Sequence, residues 1–120
     1  MRYFADTYAL IEIIKGNKNF KRYVREEIFT SILNLFELYY IILRDFNEEL
    51  AKKYFFQFKK NLIRFTDEDL FSASSFKLKN VKKRVSYVDS LGYVISLENK
   101  MKFLTGDKEF YSVNNVEFVK

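Results

Sequence analysis

The sequence predicts an α/β domain with a central, mainly parallel sheet. Short apolar segments of strand length alternate along the chain with longer segments whose apolar residues recur at helical spacing. Parallel neighbours require a crossover connection, which a helix usually supplies, so this alternation favours parallel pairing. The chain has 120 residues, enough for one core, and no linker, repeat or low-complexity tract divides it. We therefore expect a single domain over residues 1–120.

The first half of the chain contains two predicted strand and helix units. Asp6 is placed to cap the first helix and Gly16 to end it, while Ser31 is placed to cap the second. The second helix follows from the segment TSILNLFELYYIIL, which holds one charged residue, Glu37, and which we interpret as a buried element. The predicted elements are a strand at 2–5, a helix between Asp6 and Gly16, a strand at 27–31 and a helix at 32–44.

The second half continues the alternation. Asn47, Asp67 and Ser86 are predicted to begin three further helices, the second of which runs into the basic segment KLKNVKKR. Apolar runs of strand length separate and follow these helices. The predicted strands are NLIRF at 61–65, MKFLTG at 101–106 and VEFV at 116–119.

Composition excludes several common chemistries. The chain has no cysteine and no histidine, which removes thiolate nucleophiles, zinc clusters, disulfides and every mechanism that depends on imidazole. Its three glycines, Gly16, Gly92 and Gly106, are too far apart for a glycine-rich phosphate loop. Carboxylates with a metal, or an unusual lysine, tyrosine or serine site, remain as sources of strong chemistry.

Composition also favours a soluble protein of the cytoplasm. The apolar run from Ile28 to Leu43 is interrupted by polar residues and is shorter than the roughly 20 apolar residues of a membrane helix. The first residues carry Asp6 and Glu12 within their apolar part and show no signal-peptide pattern. A cysteine-free chain fits a reducing compartment. The net charge of +5 indicates an anionic partner, RNA or DNA before an acidic surface.

Four acidic residues each lie in an otherwise largely apolar segment of the sequence. They are Asp6, Glu37, Asp89 and Asp107. In an open parallel sheet, functional groups gather outside the carboxyl ends of the strands, where the following helices begin, so we expect these four to meet there. Clustered acids raise one another's pKa values, and a divalent cation relieves their repulsion. With oxygen ligands alone, Mg2+ or Mn2+ is the expected occupant.

Each acid also has a structural interpretation. Asp6 could act only as an N-cap, Asp107 could cap a short turn, and Ser86 with Asp89 fits a capping-box pattern. Glu37 lies in mid-helix and has no capping role, but it could pair with a lysine or arginine across the core. The four acids together favour the metal site.

Four segments surround these acids: YFADTYALIEI, TSILNLFEL, SYVDSLGYVIS and FLTGDKEF. They resemble the acidic motifs of the PIN-domain nucleases, particularly those of the small single-domain toxins of the VapC type. The likeness rests on four acidic motifs in the family's order, and it covers nearly the whole chain. Two positions depart from the usual pattern: Tyr8 stands where the first motif often has a small residue, and Gly106 where the last often has asparagine.

The resemblance implies a three-layer α/β/α sandwich and a magnesium-dependent endoribonuclease. By the same resemblance, the metal-binding and catalytic carboxylates would be Asp6, Glu37, Asp89 and Asp107. Thr7 and Thr105 would be the hydroxyl neighbours of the first and last acid. The implied partners are an RNA substrate and a small antitoxin protein.

Two alternatives to a ribonuclease toxin stay open from the sequence. One is a PIN domain that processes RNA without an antitoxin, and the other is a non-catalytic module that binds RNA or protein. The 23 Phe and Tyr residues exceed what this core can hide, so some are expected at an interface such as a homodimer. Two basic groups are candidates for RNA contact or for solvated helix faces: Lys77, Lys79, Lys82, Lys83 and Arg84, and Lys18, Lys21, Arg22 and Arg25.

Overall fold

A four-stranded, fully parallel sheet forms the centre of the computed structural model, which describes residues 1–120. The strand order is β2-β1-β3-β4, so the first strand lies in the middle of the sheet. In register, Phe4 of β1 lies opposite Phe29 of β2 and Phe103 of β3. The strands are β1 (Arg2–Ala5), β2 (Glu27–Phe29), β3 (Lys102–Thr105) and β4 (Val116–Phe118).

Five helices cover the two faces of this sheet. Tyr3 and Ala5 of β1 face one apolar cluster, whereas Phe4 between them faces the other, as the two-residue period of a strand requires. The first cluster packs under α1, α2 and α3, and the second under α4 and α5. The helices are α1 (Thr7–Lys15), α2 (Ile32–Asp45), α3 (Glu48–Lys59), α4 (Asp67–Lys79) and α5 (Tyr87–Glu98), with 3-10 helices at Lys18–Arg25 and Lys108–Phe110. The predicted three-layer α/β/α sandwich is confirmed.

The predicted helix boundaries follow from local capping. The side chains of Asp6, Ser31, Asn47 and Ser86 each accept a hydrogen bond from a backbone N–H in the first turn of the following helix. Gly16 ends α1 with φ of 74°, a left-handed conformation that suits glycine. None of the five helices has the length and apolar character needed to cross a bilayer.

Two predicted features of the segment around residues 61–67 are wrong. NLIRF does not form a strand: a single bridge joins Leu62 to Thr30, and the chain then leaves the edge of the sheet. Asp67 is the first helical residue of α4 and not its cap. Thr66 is the cap, and it forms a reciprocal capping box with Asp69.

The interpretation of α2 as a buried element is also wrong. Leu35, Leu38 and Ile42 are buried, but Phe36 is 73% exposed and Tyr40 is 60% exposed. The helix is apolar on more than one face, and its packing against α1 and α3 leaves part of this apolar surface exposed.

Candidate functional site

The four predicted acids line one open cleft at the carboxyl edge of the sheet. Asp6 follows β1 and Asp107 lies just beyond β3, while Glu37 and Asp89 lie on α2 and α5. The cleft has a volume of about 1020 Å³. The expectation that these four residues gather at this edge agrees with where the structure places them.

Asp6 is the most deeply buried of the four, with 2% of its surface exposed. Its Oδ1 accepts the Ala9 backbone N–H at 2.8 Å, which caps α1. Its Oδ2 accepts a hydrogen bond from the Thr105 hydroxyl, and that hydroxyl in turn accepts the Asp107 backbone N–H at 3.0 Å. The carboxylate is therefore fixed between the ends of β1 and β3, and its role as a cap does not remove it from the cleft.

Asp89 and Asp107 also line the cleft and are half-buried. Ser86 Oγ accepts the Asp89 backbone N–H at 3.0 Å, but the Asp89 carboxylate does not accept the Ser86 backbone N–H that would complete a capping box. Asp107 Oδ1 accepts the Glu109 backbone N–H at 3.0 Å and so caps the short 3-10 helix. Both carboxylates keep oxygen atoms free for the cleft.

A chain of directed hydrogen bonds holds Glu37. Ser31 Oγ donates to Asn34 Oδ1 at 2.6 Å, and Asn34 Nδ2 donates to Thr7 Oγ1 at 3.2 Å. Thr7 Oγ1 then donates to Glu37 Oε1 at 2.6 Å. The proposed pairing of Glu37 with a lysine or arginine across the core is absent, since Glu37 takes part in none of the ion pairs.

The four carboxylates of the cleft are not neutralised by direct contact with a basic side chain. Burial, and then the charge of Asp89, raises the pKa of Asp6 to about 7, although hydrogen bonds from Thr105 and Ala9 oppose this shift. Burial, followed by the charges of Asp107 and Glu37, raises the pKa of Asp89 to about 6. A cation bound in the cleft would lower the pKa values of both carboxylates.

The donor set fits a hard divalent cation. Every acidic group in the cleft offers oxygen, the ligand that Mg2+ and Mn2+ prefer, and the hydroxyl groups of Thr7 and Thr105 orient two of the carboxylates. No three acidic side chains lie close enough together in this structure to ligate one ion directly. Mg2+ usually keeps several water ligands and needs only one or two carboxylates.

The sequence did not single out the rim of the cleft. Arg44, Lys108 and Lys120 line it together with the exposed rings of Phe36 and Tyr40. These residues come from three separate parts of the chain, and their common position depends on the packing of α2 against α1, which in turn contacts β3. Phe36 and Tyr40 are four residues apart, with Glu37 between them in the sequence. This spacing, which places two rings on one helix face beside a candidate acid, could have identified them.

The two basic groups predicted from the sequence lie outside the cleft lining. The first occupies the end of α4 and the loop after it, where Lys77 Nζ donates to the Val85 carbonyl at 2.6 Å. The second occupies the 3-10 helix at Lys18–Arg25, where Arg22 pairs with Glu117 at 3.8 Å. Neither group touches the acids.

Tyr8 and Gly106, the two positions that depart from the family pattern, are sterically complementary. A Cβ atom on Gly106 would lie 2.5 Å from the Val119 carbonyl oxygen and closer still to the ring of Tyr8. The aromatic ring thus fills the space that a side chain at position 106 would need. Lys120 Nζ donates to the Gly106 carbonyl at 3.0 Å and lies 5.6 Å from the centroid of the Tyr8 ring.

Gly106→Ala is expected to lower the free energy of unfolding by about 1 to 3 kcal/mol, the usual cost of overpacking. Because part of the clash is with Tyr8, the added substitution Tyr8→Leu should restore some of this loss but leave the clash with Val119. A double-mutant cycle by urea unfolding measures the coupling. Additive effects of the two substitutions would contradict this steric account.

Asn34→Ala is expected to lower the free energy of unfolding by about 2 kcal/mol, because Asn34 is fully buried and its loss leaves the Ser31 hydroxyl without its acceptor. The exposed Asn114→Ala variant is the matched control and should change stability by less than about 0.5 kcal/mol. Urea unfolding of both variants checks this. Equal stability of the two would show that the hydrogen-bond chain contributes nothing to folding.

The fold and the cleft together define a three-layer α/β/α protein with a carboxylate site at the carboxyl edge of a parallel sheet. The PIN domain family model matches residues 3–116, and the chain belongs to this family. No curated protein matches the chain by sequence.

Several solved structures share the fold over nearly their whole length. VapC20 of Mycobacterium tuberculosis, a toxin that cleaves the sarcin–ricin loop, has a TM-score of 0.79 at 16% identity, with 98% of this chain and 99% of that chain covered. VapBC2 of Rickettsia felis, bound to a DNA fragment of its promoter, has a TM-score of 0.77 at 18% identity, with both chains covered completely. DNA-bound VapBC of Salmonella typhimurium has a TM-score of 0.77 at 15% identity, covering 98% of this chain and 96% of that chain.

Proposed function

We propose that this protein is a metal-dependent endoribonuclease and the toxin of a toxin–antitoxin pair. The observation that carries the proposal is a set of four carboxylates that line one cleft and of which none forms an ion pair: Asp6, Glu37, Asp89 and Asp107. A protein gains no stability from such a cluster, since burial already raises the pKa of Asp6 to about 7. A binding function for a cation explains its presence.

The proposed site residues have separate tasks. Asp6 and Asp89 are the first choices as direct ligands of Mg2+ or Mn2+, and Asp107 and Glu37 complete the site through water. When bound, such an ion supplies an activated water and neutralises charge on the scissile phosphate. Thr105 holds Asp6, and Thr7 holds Glu37, so that both carboxylates have fixed orientations before substrate arrives.

The toxin assignment draws on the relatives in addition to the cleft. The PIN family membership covers residues 3–116, and the similar structures include a toxin that cleaves the sarcin–ricin loop and VapBC toxin–antitoxin complexes. We therefore propose a small antitoxin as a protein partner, RNA as the substrate and a homodimer as the assembly. A gene for a short DNA-binding protein directly beside this one would separate a toxin from an RNA-processing PIN domain.

The test is cleavage of labelled structured RNAs by the purified protein with Mg2+, with Mn2+ and with EDTA. We expect cleavage with either metal and none with EDTA, and calorimetry should detect binding of Mn2+ to the protein without RNA. Absence of cleavage on several RNAs together with absence of metal binding would overturn the proposal and leave a non-catalytic binding module.

A further inference from the structure

One wall of the acidic cleft is aromatic and exposed. Phe36 and Tyr40 lie four residues apart on α2, so their side chains are neighbours on one helix face. Both line the cleft, with 73% and 60% of their surfaces exposed, and Phe36 directly precedes the carboxylate-bearing Glu37. Large exposed rings beside a charged site mark a binding surface more often than a folding requirement.

Cations accompany these rings. The Arg44 guanidinium lies one further turn along the same helix face, 5.7 Å from the centroid of the Tyr40 ring. It pairs with Asp45, but both side chains are about half exposed, and such surface pairs are weak and easily shared with another anion. Lys108 and Lys120 line the same cleft.

We propose that Phe36 and Tyr40 form a stacking platform for unpaired bases of an RNA whose phosphates are held by Arg44 and Lys108. This inference rests on the proposed ribonuclease function and deepens it. Aromatic rings stack on unpaired bases, whereas in a duplex the bases already stack on each other, so this wall selects single-stranded or looped RNA. Arg44 lies against the Tyr40 ring and Lys108 lines the same cleft, and their positive charge complements a phosphate backbone.

The position of the platform explains what it contributes. Phe36 and the four carboxylates line the same cleft, so a base stacked on Phe36 brings its own phosphate close to the carboxylate cluster. Bases held on two successive turns of α2 would fix the direction in which the strand crosses the cleft. Phe36 and Tyr40 are thus positioning residues for the substrate, distinct from the carboxylates.

The test measures RNA binding in EDTA, where no cleavage is expected. Fluorescence anisotropy with a short labelled oligouridylate gives the Kd of the wild type and of Phe36→Leu and Tyr40→Leu, which keep an apolar side chain but remove the ring. We expect each loss of a ring to weaken binding roughly five-fold or more, since stacking on an aromatic side chain is worth about that much per base. A duplex of the same length should bind more weakly than the oligouridylate and should not respond to either substitution.

Matched variants keep this test specific. Phe36→Tyr and Tyr40→Phe retain the rings and should bind like the wild type. Phe56 of α3 is also 60% exposed but does not line the cleft, so Phe56→Leu should leave the Kd unchanged. Because all these side chains are exposed, unchanged unfolding midpoints will show that the variants are folded.

The outcomes separate this inference from the proposed function. Ring-dependent RNA binding without any metal-dependent cleavage would support the platform and overturn the ribonuclease. Cleavage with unchanged KM and unchanged Kd in both leucine variants would support the ribonuclease and overturn the platform. Equal affinity for duplex and unpaired RNA would also overturn the stacking platform.

Discussion

The Asp6→Asn variant is expected to lose RNA cleavage by at least about 100-fold. Loss of a group that only orients a metal ligand typically costs about 10- to 100-fold in metal affinity or activity, and loss of the ligand itself should cost more. The substitution is close to isosteric. Asn caps helices as well as Asp does, so the hydrogen bond that the Ala9 backbone N–H donates to the side chain at position 6 can persist. We therefore expect the variant to keep its fold and to lose cleavage because it lacks the negative charge of Asp6.

A graded set of variants makes this prediction specific. Asp89→Asn should behave like Asp6→Asn, whereas Thr105→Val, which removes the donor to Asp6 Oδ2, should lose only about 10- to 100-fold. Glu49→Gln removes an exposed carboxylate outside the cleft and should cleave at the wild-type rate. Single-turnover cleavage with Mg2+ measures all four. A wild-type rate for Asp6→Asn would reduce Asp6 to a helix cap.

The sequence was sufficient for the parts of the fold that local chemistry determines. Strand β1 has the predicted bounds, and Asp6, Ser31, Asn47 and Ser86 cap the helices that they were predicted to begin, because a cap depends only on residues within one turn. The same logic placed the four acids at one edge, since parallel strands end together. A carboxylate can cap a helix and line the cleft at the same time, as Asp6 and Asp107 show.

The errors concern tertiary context. The predicted strand 61–65 pairs with the sheet only at Leu62. The extent of this pairing depends on the space left beside Thr30 at the edge of the sheet, which the sequence does not encode locally. Helix α2 is apolar on several faces, so its periodicity could not distinguish the face that meets the core, with Leu35 and Leu38, from the face with Phe36. The rim of the cleft was missed for the same reason.

Without metal, the protein is expected to lose stability as pH rises from about 4 to about 7. The pKa of Asp6 is raised from its ordinary value of 3.8 to about 7, chiefly by burial, so the folded state binds a proton more tightly than the unfolded state does. Between these pH values the unfolded state holds fewer protons, and the free energy of unfolding must fall as pH increases. At 1.36 kcal/mol per pKa unit, the loss from Asp6 alone is about 4 kcal/mol at pH 8.

Urea unfolding in EDTA at pH 5 and pH 8 measures the part of this loss that falls above pH 5, about 3 kcal/mol. Asp6→Asn has no proton to lose at this position, so it should lose much less stability over the same range and should be more stable than the wild type at pH 8. Glu49→Gln should follow the wild type. If Asp6→Asn and the wild type lose stability equally, the burial of Asp6 has no electrostatic cost in solution.

Added Mg2+ extends the argument from stability to function. An ion that binds the folded state alone raises its stability according to its concentration and affinity. It should therefore offset the loss in the wild type at pH 8, where Asp6 is ionised, and have little effect at pH 5, where Asp6 is protonated. Asp6→Asn should gain little from Mg2+ at either pH. Equal stabilisation of wild type and variant would place the ion elsewhere, whereas the expected pattern would show that the cluster destabilises the metal-free fold because it is built to hold a cation.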